Sequence, residues 1–236
     1  MNDLTGKIAL VTGSTRGIGL AIARGLAGCG ARVMRHGRTP GATAGFAAAD
    51  LSQPGGAEAL YEAMLCELGA PDILILNASV QVRREWTEVT AEEFDLQMHT
   101  DLFASLELIR LCVPHMKERR WGRIVTIGST QQIRPHEQMI VYGAAKSAQL
   151  NLVRNLALQL APFGITVNNV APGTILTGRN ADVLADPEFR RKCETQIPAG
   201  SIAEPEDCVP PVLMFCAPES RYLTGNDLFA DGGKHI

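Results

Sequence analysis

Tyr142 and Lys146, four residues apart, are the residues of this 236-residue chain whose types and spacing best suit proton transfer. On a helix, residues with this spacing lie on one face, one turn apart. A phenol ionises at about pH 10, and a neighbouring ammonium stabilises the phenolate. We therefore expect Tyr142 to donate a proton in one direction of a reaction and to accept it in the other. The alternative is an ordinary amphipathic helix whose lysine extends to solvent.

Ser129 follows a β-branched run at 123–127 that predicts a buried strand. In open parallel sheets, ligands bind at the carboxyl ends of the strands. The Ser129 hydroxyl is therefore expected beside a bound substrate, where it can donate to an oxygen that becomes negative during the reaction. Ser129, Tyr142 and Lys146 are the candidate catalytic residues.

A glycine-rich turn, TGSTRGIG at 12–19, lies between a predicted strand over 7–12 and a helical pattern over 18–27. Glycines let a backbone approach a pyrophosphate closely, and the N-terminus of the next helix offers N–H groups to that anion. This context is the one that a dinucleotide site requires. The turn predicts cofactor contacts from Gly13, Ser14, Arg16, Gly17, Ile18 and Gly19.

Short apolar runs alternate with helical patterns along the chain. Strands are predicted over 7–12, 32–35, 46–49, 72–76, 123–127, 165–170 and 227–230. Helices are predicted over 18–27, 57–68, 91–116 with a break near Thr100, and 142–160. Such alternation predicts an α/β fold, a single Rossmann-type doubly wound parallel sheet of about seven strands with helices on both faces. We expect one domain over 1–236, with an irregular substrate loop at about 172–203.

The glycine spacing, the serine thirteen residues before the tyrosine and the Tyr-x-x-x-Lys pair together resemble the short-chain dehydrogenase/reductase family. The resemblance covers essentially the whole chain. It implies hydride transfer between a nicotinamide and a carbonyl or secondary alcohol, with Tyr142 as the general acid or base and Lys146 on the nicotinamide ribose. It also implies further cofactor contacts from Asp50, Leu51, Asn77, Ala78, Pro172, Gly173, Ile175 and Thr177.

The second predicted strand runs into His36-Gly37-Arg38, which contains no acid. NAD sites place an acid there to bind the adenosine ribose, and Gly37 stands where NAD-type members of the family carry aspartate. Arg38 and Arg16 could instead clamp a 2′-phosphate with charge-assisted bonds. We therefore expect NADP(H) to be preferred, with NAD(H) as the alternative.

Two positions depart from the family pattern. The resemblance implies Asp101 as a fourth catalytic residue, but the family carries there an asparagine that supports a helix kink and an ordered water near the lysine. Ser79 replaces a glycine. Because aspartate is nearly isosteric with asparagine, we expect activity to persist. These departures favour the alternative of a non-catalytic dinucleotide-binding regulatory protein, and the intact Ser129, Tyr142 and Lys146 oppose it. The chain is too short for the epimerases and dehydratases of the longer family branch.

Substrate specificity is expected in loops at 130–140 and 176–198. The first contains polar side chains that could bind a polar or anionic substrate or could simply be solvated: Gln131, Gln132, Arg134, His136 and Gln138. The resemblance is to 3-oxoacyl carrier-protein reductases and to sugar-alcohol or carbonyl reductases, and the choice between them stays open. It also implies a homotetramer built through the helix after Asp101 and the helix of Tyr142.

The net charge of −3 gives no reason to expect nucleic acid or an anionic membrane as a partner. The apolar runs are too short to span a membrane, and the N-terminal residues show no secretory pattern. The six cysteines form no Cys-x-x-Cys pair, so we expect free thiols, no metal site and a cytoplasmic protein.

Overall fold

The computed structural model of the protein describes residues 3–39 and 44–236. Its seven strands form one sheet in the order β3-β2-β1-β4-β5-β6-β7, and every neighbouring pair is parallel. The strands are β1 (Ile8–Val11), β2 (Arg32–Gly37), β3 (Phe46–Ala48), β4 (Ile73–Leu76), β5 (Gly122–Ile127), β6 (Ile165–Pro172) and β7 (Asp227–Ala230). The predicted doubly wound parallel sheet is therefore confirmed.

Helices cover both faces of the sheet. They are α1 (Gly17–Gly28), α2 (Gly56–Glu67), α3 (Ala91–Met98), α4 (Ala104–Arg119), α5 (Ile140–Leu160), α6 (Ala181–Leu184), α7 (Pro187–Glu194) and α8 (Val209–Cys216). Side chains of α2, α4 and α5 form one core layer, and those of α1 and α8 form the other. Successive strand residues point to opposite layers, as Leu74 and Ile75 of β4 do. This explains why the central strands are apolar without alternation.

The chain reverses its order in the sheet beside β1, where β2 lies on one side and β4 on the other. Thr12, directly after β1, connects the end of β1 with the segment that follows β4. Its Oγ1 accepts from the backbone N–H of Asn77, at 2.9 Å, and of Ala78, at 3.0 Å. Such a switch point leaves a crevice at the carboxyl ends of the strands, and it positions the candidate site.

The predicted break near Thr100 is a π-helical turn, His99–Phe103, between α3 and α4. A capping box formed by Thr90 and Glu93 begins α3. A π-helical turn bends the helix and reorients its carbonyl groups. The turn carries Asp101 into the protein interior, where its side chain is fully buried.

Helix α8 was not predicted from the sequence. Its eight residues are nearly all apolar, and Pro210 and Pro211 fall in its first turn. Proline is tolerated there because the first N–H groups of a helix lack intrahelical partners. Val212, Phe215 and Cys216 pack against α1 and the sheet. Pro210 and Met214 are exposed but also apolar, which hides the helical period. The expected substrate loop contains the short helices α6 and α7.

Candidate active site

A cleft of about 970 Å³ follows the carboxyl edge of the sheet. It brings together most of the residues predicted for the site. These are Gly13, Arg16, Gly17, Ile18, Gly19, Arg38, Asp50, Leu51, Asn77, Ala78, Ser129, Tyr142, Pro172, Gly173, Ile175 and Thr177. Three predicted residues, Ser14, Asp101 and Lys146, lie behind the cleft wall, with at most 1 % of their surface exposed.

The glycine turn packs directly against the segment that follows β4. Asn77 donates from Nδ2 to the carbonyl oxygens of Thr12, at 2.9 Å, and Gly13, at 3.0 Å. A Cβ on Gly19 would lie 2.5 Å from both this Nδ2 and the Gly13 oxygen. Only glycine allows that approach, which leaves the first turn of α1 facing the cleft. Free N–H groups at a helix start suit a pyrophosphate, so these residues fit a dinucleotide.

His36 is a residue of this region that the sequence did not identify. Its Nδ1 accepts from the Gly13 N–H at 3.0 Å, so its Nε2 carries the proton donated to the Ala49 carbonyl, also at 3.0 Å. Burial lowers the pKa of His36, which favours this neutral form. Ser14 completes the link between the turn and β2, since its Oγ accepts from the His36 N–H at 2.9 Å. Ser14, for which a cofactor contact was predicted, therefore supports the turn from behind the cleft wall.

At the adenosine end of the cleft, Gly37 lies close to two neighbouring side chains. A Cβ there would lie 2.4 Å from Thr15 Cγ2 and 3.1 Å from the Phe46 ring. Arg38 is exposed on the cleft lining. Hydrogen bonds from Ser52, assisted by the charge of Arg38, lower the pKa of Asp50. The adenosine end therefore offers arginine to an anion, and its nearby acid is already partnered.

Ser129 keeps its hydroxyl proton available. Its Oγ accepts from the Gln131 N–H at 3.2 Å, and an accepting oxygen still has its own proton to donate. The loop is anchored from below, because Gln132 donates to Asp227 at 2.6 Å. Asn169 donates to the same carboxylate at 2.7 Å. Gln132, one of the possible substrate contacts predicted from sequence, thus holds the serine loop in place.

Tyr142 and Lys146 lie on one face of α5, as predicted from their spacing. The Lys146 Nζ is 5.7 Å from the centroid of the Tyr142 ring. Tyr142 lines the cleft, whereas Lys146 is buried beneath it. The ammonium donates to the Ile127 carbonyl at 2.9 Å and to Gln149 Oε1 at 3.3 Å. This arrangement places a fixed positive charge next to a phenol at the sheet edge.

Asp101 is held in the π-helical turn. Its Oδ1 accepts from the Val80 N–H at 2.7 Å, while its Oδ2 is buried without a hydrogen-bond partner. Burial raises the pKa of Asp101 from its ordinary value of 3.8 to about 6, although the charges of Lys146 and Arg179 oppose the rise. The Asp101 carbonyl accepts from Gln149 Nε2 at 3.0 Å. Gln149 therefore spans the distance between this carbonyl and Lys146, where the resemblance implied an ordered water.

The substrate end of the cleft differs from the prediction. Gln131 and His136 line it, but Arg134 donates to the Lys234 carbonyl and Gln138 donates to Glu85. Charged side chains also line it. Glu137 lies in the first predicted loop, and Arg179 and Lys192 lie in the second. Arg83 and Lys234 come from segments for which no substrate contact was predicted.

Arg179, in the loop after β6, contacts Ser79, in the segment after β4, on the other side of the cleft. Arg179 Nη2 lies 2.9 Å from both the carbonyl oxygen and the Oγ of Ser79. Ser79 keeps a negative φ, since Arg120 is the one non-glycine residue with a positive φ in the described part of the chain. The serine that replaces the family glycine is therefore unstrained, and it provides acceptors for the substrate loop.

Within 3–39 and 44–236 no three histidine, cysteine or acidic side chains group as a metal site. No helix in those ranges is both long and apolar enough to cross a membrane. All six cysteines are free.

Comparison with known proteins identifies the relatives of the chain. A family model described as Enoyl-(Acyl carrier protein) reductase matches residues 13–235. The 3beta-hydroxysteroid dehydrogenase 1 of Eggerthella lenta is 32% identical, over 100% of this chain and 96% of its own length.

Solved structures show the same similarity. A 3-oxoacyl (acyl-carrier-protein) reductase from Agrobacterium tumefaciens with NADP bound is 37% identical, with a TM-score of 0.93 over 98% of this chain and 95% of that one. A gluconate 5-dehydrogenase from Burkholderia cenocepacia in complex with NADP and tartrate is 28% identical, with a TM-score of 0.92 over 98% and 96%. Sequence, fold and site agree, and the chain belongs to the short-chain dehydrogenase/reductase family of pyridine-nucleotide oxidoreductases.

Proposed function

We propose that this protein is an NADP(H)-dependent oxidoreductase that interconverts a carbonyl and a secondary alcohol, with Tyr142 as the general acid and base. The observation that carries the proposal is the shared cleft. The glycine turn, Ser129 and Tyr142 all line it, and the Lys146 ammonium lies behind the phenol. A nucleotide-binding protein without catalysis would require the glycine turn but not Ser129, Tyr142 and Lys146.

Bound NADPH supplies the hydride to the carbonyl carbon. The Ser129 hydroxyl donates to the substrate oxygen, which becomes negative as the hydride arrives. The Tyr142 hydroxyl then transfers its proton to that oxygen, and the product is the alcohol. Lys146 stabilises the phenolate that remains. In the reverse direction Tyr142 accepts the alcohol proton.

Replacing Tyr142 with phenylalanine tests the role of the hydroxyl. We expect kcat for carbonyl reduction, followed by NADPH absorbance, to fall by about 10³-fold, with NADPH affinity unchanged. Tyr222→Phe is the matched control because Tyr222 is exposed and lies outside the cleft lining. A wild-type protein that binds NADPH but oxidises none across a broad carbonyl panel would instead favour a non-catalytic regulatory protein.

The preference for NADP(H) is supported by the adenosine end of the cleft, which offers Arg16 and Arg38 and carries glycine rather than an acid at position 37. Relatives that bind NADP are consistent with it. Arg38→Ala should lower kcat/KM with NADPH by about 10- to 100-fold, since a charge-assisted bond contributes about 1.5–3 kcal/mol. The value with NADH should hardly change. Arg24→Ala, on the exposed side of α1, is the control. A wild-type preference for NADH would contradict the proposal.

The substrate end supports a substrate with an anionic group. Arg83, Arg179, Lys192 and Lys234 line it together with the single acid Glu137. The relative from Burkholderia cenocepacia was crystallised with tartrate, a hydroxy dicarboxylate. We expect lower KM values for oxo and hydroxy acids than for neutral analogues of equal size, with Lys192→Gln reducing the difference. Equal KM values across such pairs would contradict this substrate class.

A homotetramer is proposed from the resemblance to the family and from exposed apolar side chains on or next to α4 and α5, the helices through which the family assembles. Phe103 and Leu106 are exposed at the start of α4, and Leu158 of α5 is 80% exposed. A monomer in sedimentation velocity at micromolar concentration would contradict the assembly.

The free cysteines are consistent with a reducing compartment, which supports the cytoplasm as the location.

A further inference from the structure

The ammonium of Lys146 is fixed by two acceptors of different kinds. One is the backbone carbonyl of Ile127, at the end of β5, at 2.9 Å, and the other is the side-chain oxygen of Gln149 at 3.3 Å. An ammonium has three donors, so one N–H remains for the cleft. Lys146 is 1% exposed, and the direction of that last donor is therefore set by the two bonds behind it.

Gln149 is itself held on its other side. It is 1% exposed, and its Nε2 donates to the Asp101 carbonyl at 3.0 Å and to Ser105 Oγ at 3.3 Å. A backbone carbonyl can only accept, so the amide nitrogen must face Asp101 and the amide oxygen must face Lys146. The orientation of the amide thus follows from its partners.

The π-helical turn supplies the fixed end of this bridge. Asp101 lies in the middle of the turn, and its carbonyl also accepts from Ser105 Oγ, at 3.2 Å. Helix α5 supplies the other end, because Tyr142, Lys146 and Gln149 follow each other at helical spacing on one buried face. The bridge connects the bend between α3 and α4 to the lysine beneath the tyrosine.

We propose that Gln149 is a positioning residue that holds the Lys146 ammonium beneath Tyr142 by bridging it to the Asp101 carbonyl. The inference rests on the proposed function for its effect on catalysis. An apolar side chain at 149 leaves the Asp101 carbonyl with its bond from Ser105 but removes one of the two acceptors of the buried ammonium. A buried ammonium donor without an acceptor is costly, and the bond that fixes the direction of the ammonium is lost. Lys146 then stabilises the phenolate less well.

Gln149→Met tests the bridge because it keeps the side-chain length and removes the amide. We expect kcat to fall by about 10- to 100-fold, with the affinity for NADPH changed much less. The rise in alcohol oxidation with pH should move to higher pH, since a poorly placed cation stabilises the phenolate less. Destabilisation of the fold alone would lower the melting temperature without moving the pH profile.

Gln159→Met is the matched control, with the same chemical change on the exposed side of α5. A second readout does not depend on catalysis: the rate at which acetic anhydride modifies Lys146, measured by peptide mass spectrometry. It should rise several-fold in Gln149→Met, and Gln159→Met should match the wild type. Failure of the proposed function would remove activity from the wild type and leave this labelling difference intact. A Gln149→Met protein with wild-type kcat, pH profile and labelling rate would overturn the proposal.

Discussion

The two ends of the cleft are built in different ways. The nucleotide end is formed by the glycine turn and the residues packed against it. Main-chain atoms and buried side chains are in direct contact there, as in the packing of Gly19 on Asn77 and the bond from Gly13 to His36. At the substrate end, the lining includes five charged side chains from loops, α7 and the C-terminal segment, and Arg179 is bonded across to Ser79. The difference indicates that one end is specified by backbone geometry and the other by charge. Loops on a fixed scaffold are where specificity usually varies.

The largest effect is expected from adding one methyl group at the nucleotide end. In Gly19→Ala the new Cβ would lie 2.5 Å from the Gly13 carbonyl oxygen and from Asn77 Nδ2, neither of which can move without breaking a bond. We expect a loss of about 1–3 kcal/mol in the free energy of unfolding, and at least tenfold weaker NADPH binding, equivalent to about 1.4 kcal/mol. Denaturant unfolding and NADPH titration measure the two effects.

Gly28→Ala on the same helix is the control. A Cβ there meets nothing within 4 Å. Alanine is favoured over glycine in helices by up to about 1 kcal/mol, so this variant should be neutral or slightly more stable. Equal NADPH affinity in both variants would show that close packing at 19 is not what shapes the nucleotide end.

Asp101 lies between the two ends of the cleft. The second prediction concerns how its protonation makes the free energy of unfolding depend on pH. Because its pKa is raised from 3.8 to about 6 in the folded protein, the folded state binds this proton more tightly than the unfolded state. The stability contribution is therefore present below pH 4 and is lost as the pH rises through 6. The full loss is about 3 kcal/mol. Asp101→Asn has no such titration, so its stability relative to wild type should increase with pH.

Urea unfolding of both proteins at pH 5 and pH 8 measures about half of that difference. Turnover should change less than tenfold in Asp101→Asn, because the Asp101 carbonyl, rather than its carboxylate, accepts from Gln149. A stability difference that is independent of pH would contradict a buried, titrating Asp101. A larger gain in turnover would show that the carboxylate impairs the wild-type enzyme.

The two ends also differ in how far they could be predicted from sequence. The sheet, the glycine turn and the Tyr142–Lys146 spacing follow from local patterns, since glycine, helical period and β-branched runs act over a few residues. His36, Gln149 and Arg179 could not be identified in this way. Each has a partner that is distant in sequence, 100 residues away for Arg179 and Ser79 and 48 residues away for Gln149 and Asp101. A single polar residue also carries no periodic signal. Helix α8 was missed because its exposed positions, such as Pro210 and Met214, are apolar like its buried ones, so no helical period is visible.

The smallest effect is expected from the bond across the substrate end. Arg179→Ala removes the contacts to Ser79, which are exposed and therefore stabilise the position of the loop by only about 1 kcal/mol. We expect KM for the substrate to rise about two- to fivefold, with kcat nearly unchanged. Because the charge of Arg179 lowers the pKa of Asp101, its removal should also move the Asp101 stability transition to higher pH. Arg191→Ala, exposed on α7 and outside the cleft lining, should change neither property. An Arg179→Ala protein with wild-type KM and an unshifted transition would mean that this arginine joins neither the loop nor Asp101 to the site, and that the substrate end is held by other contacts.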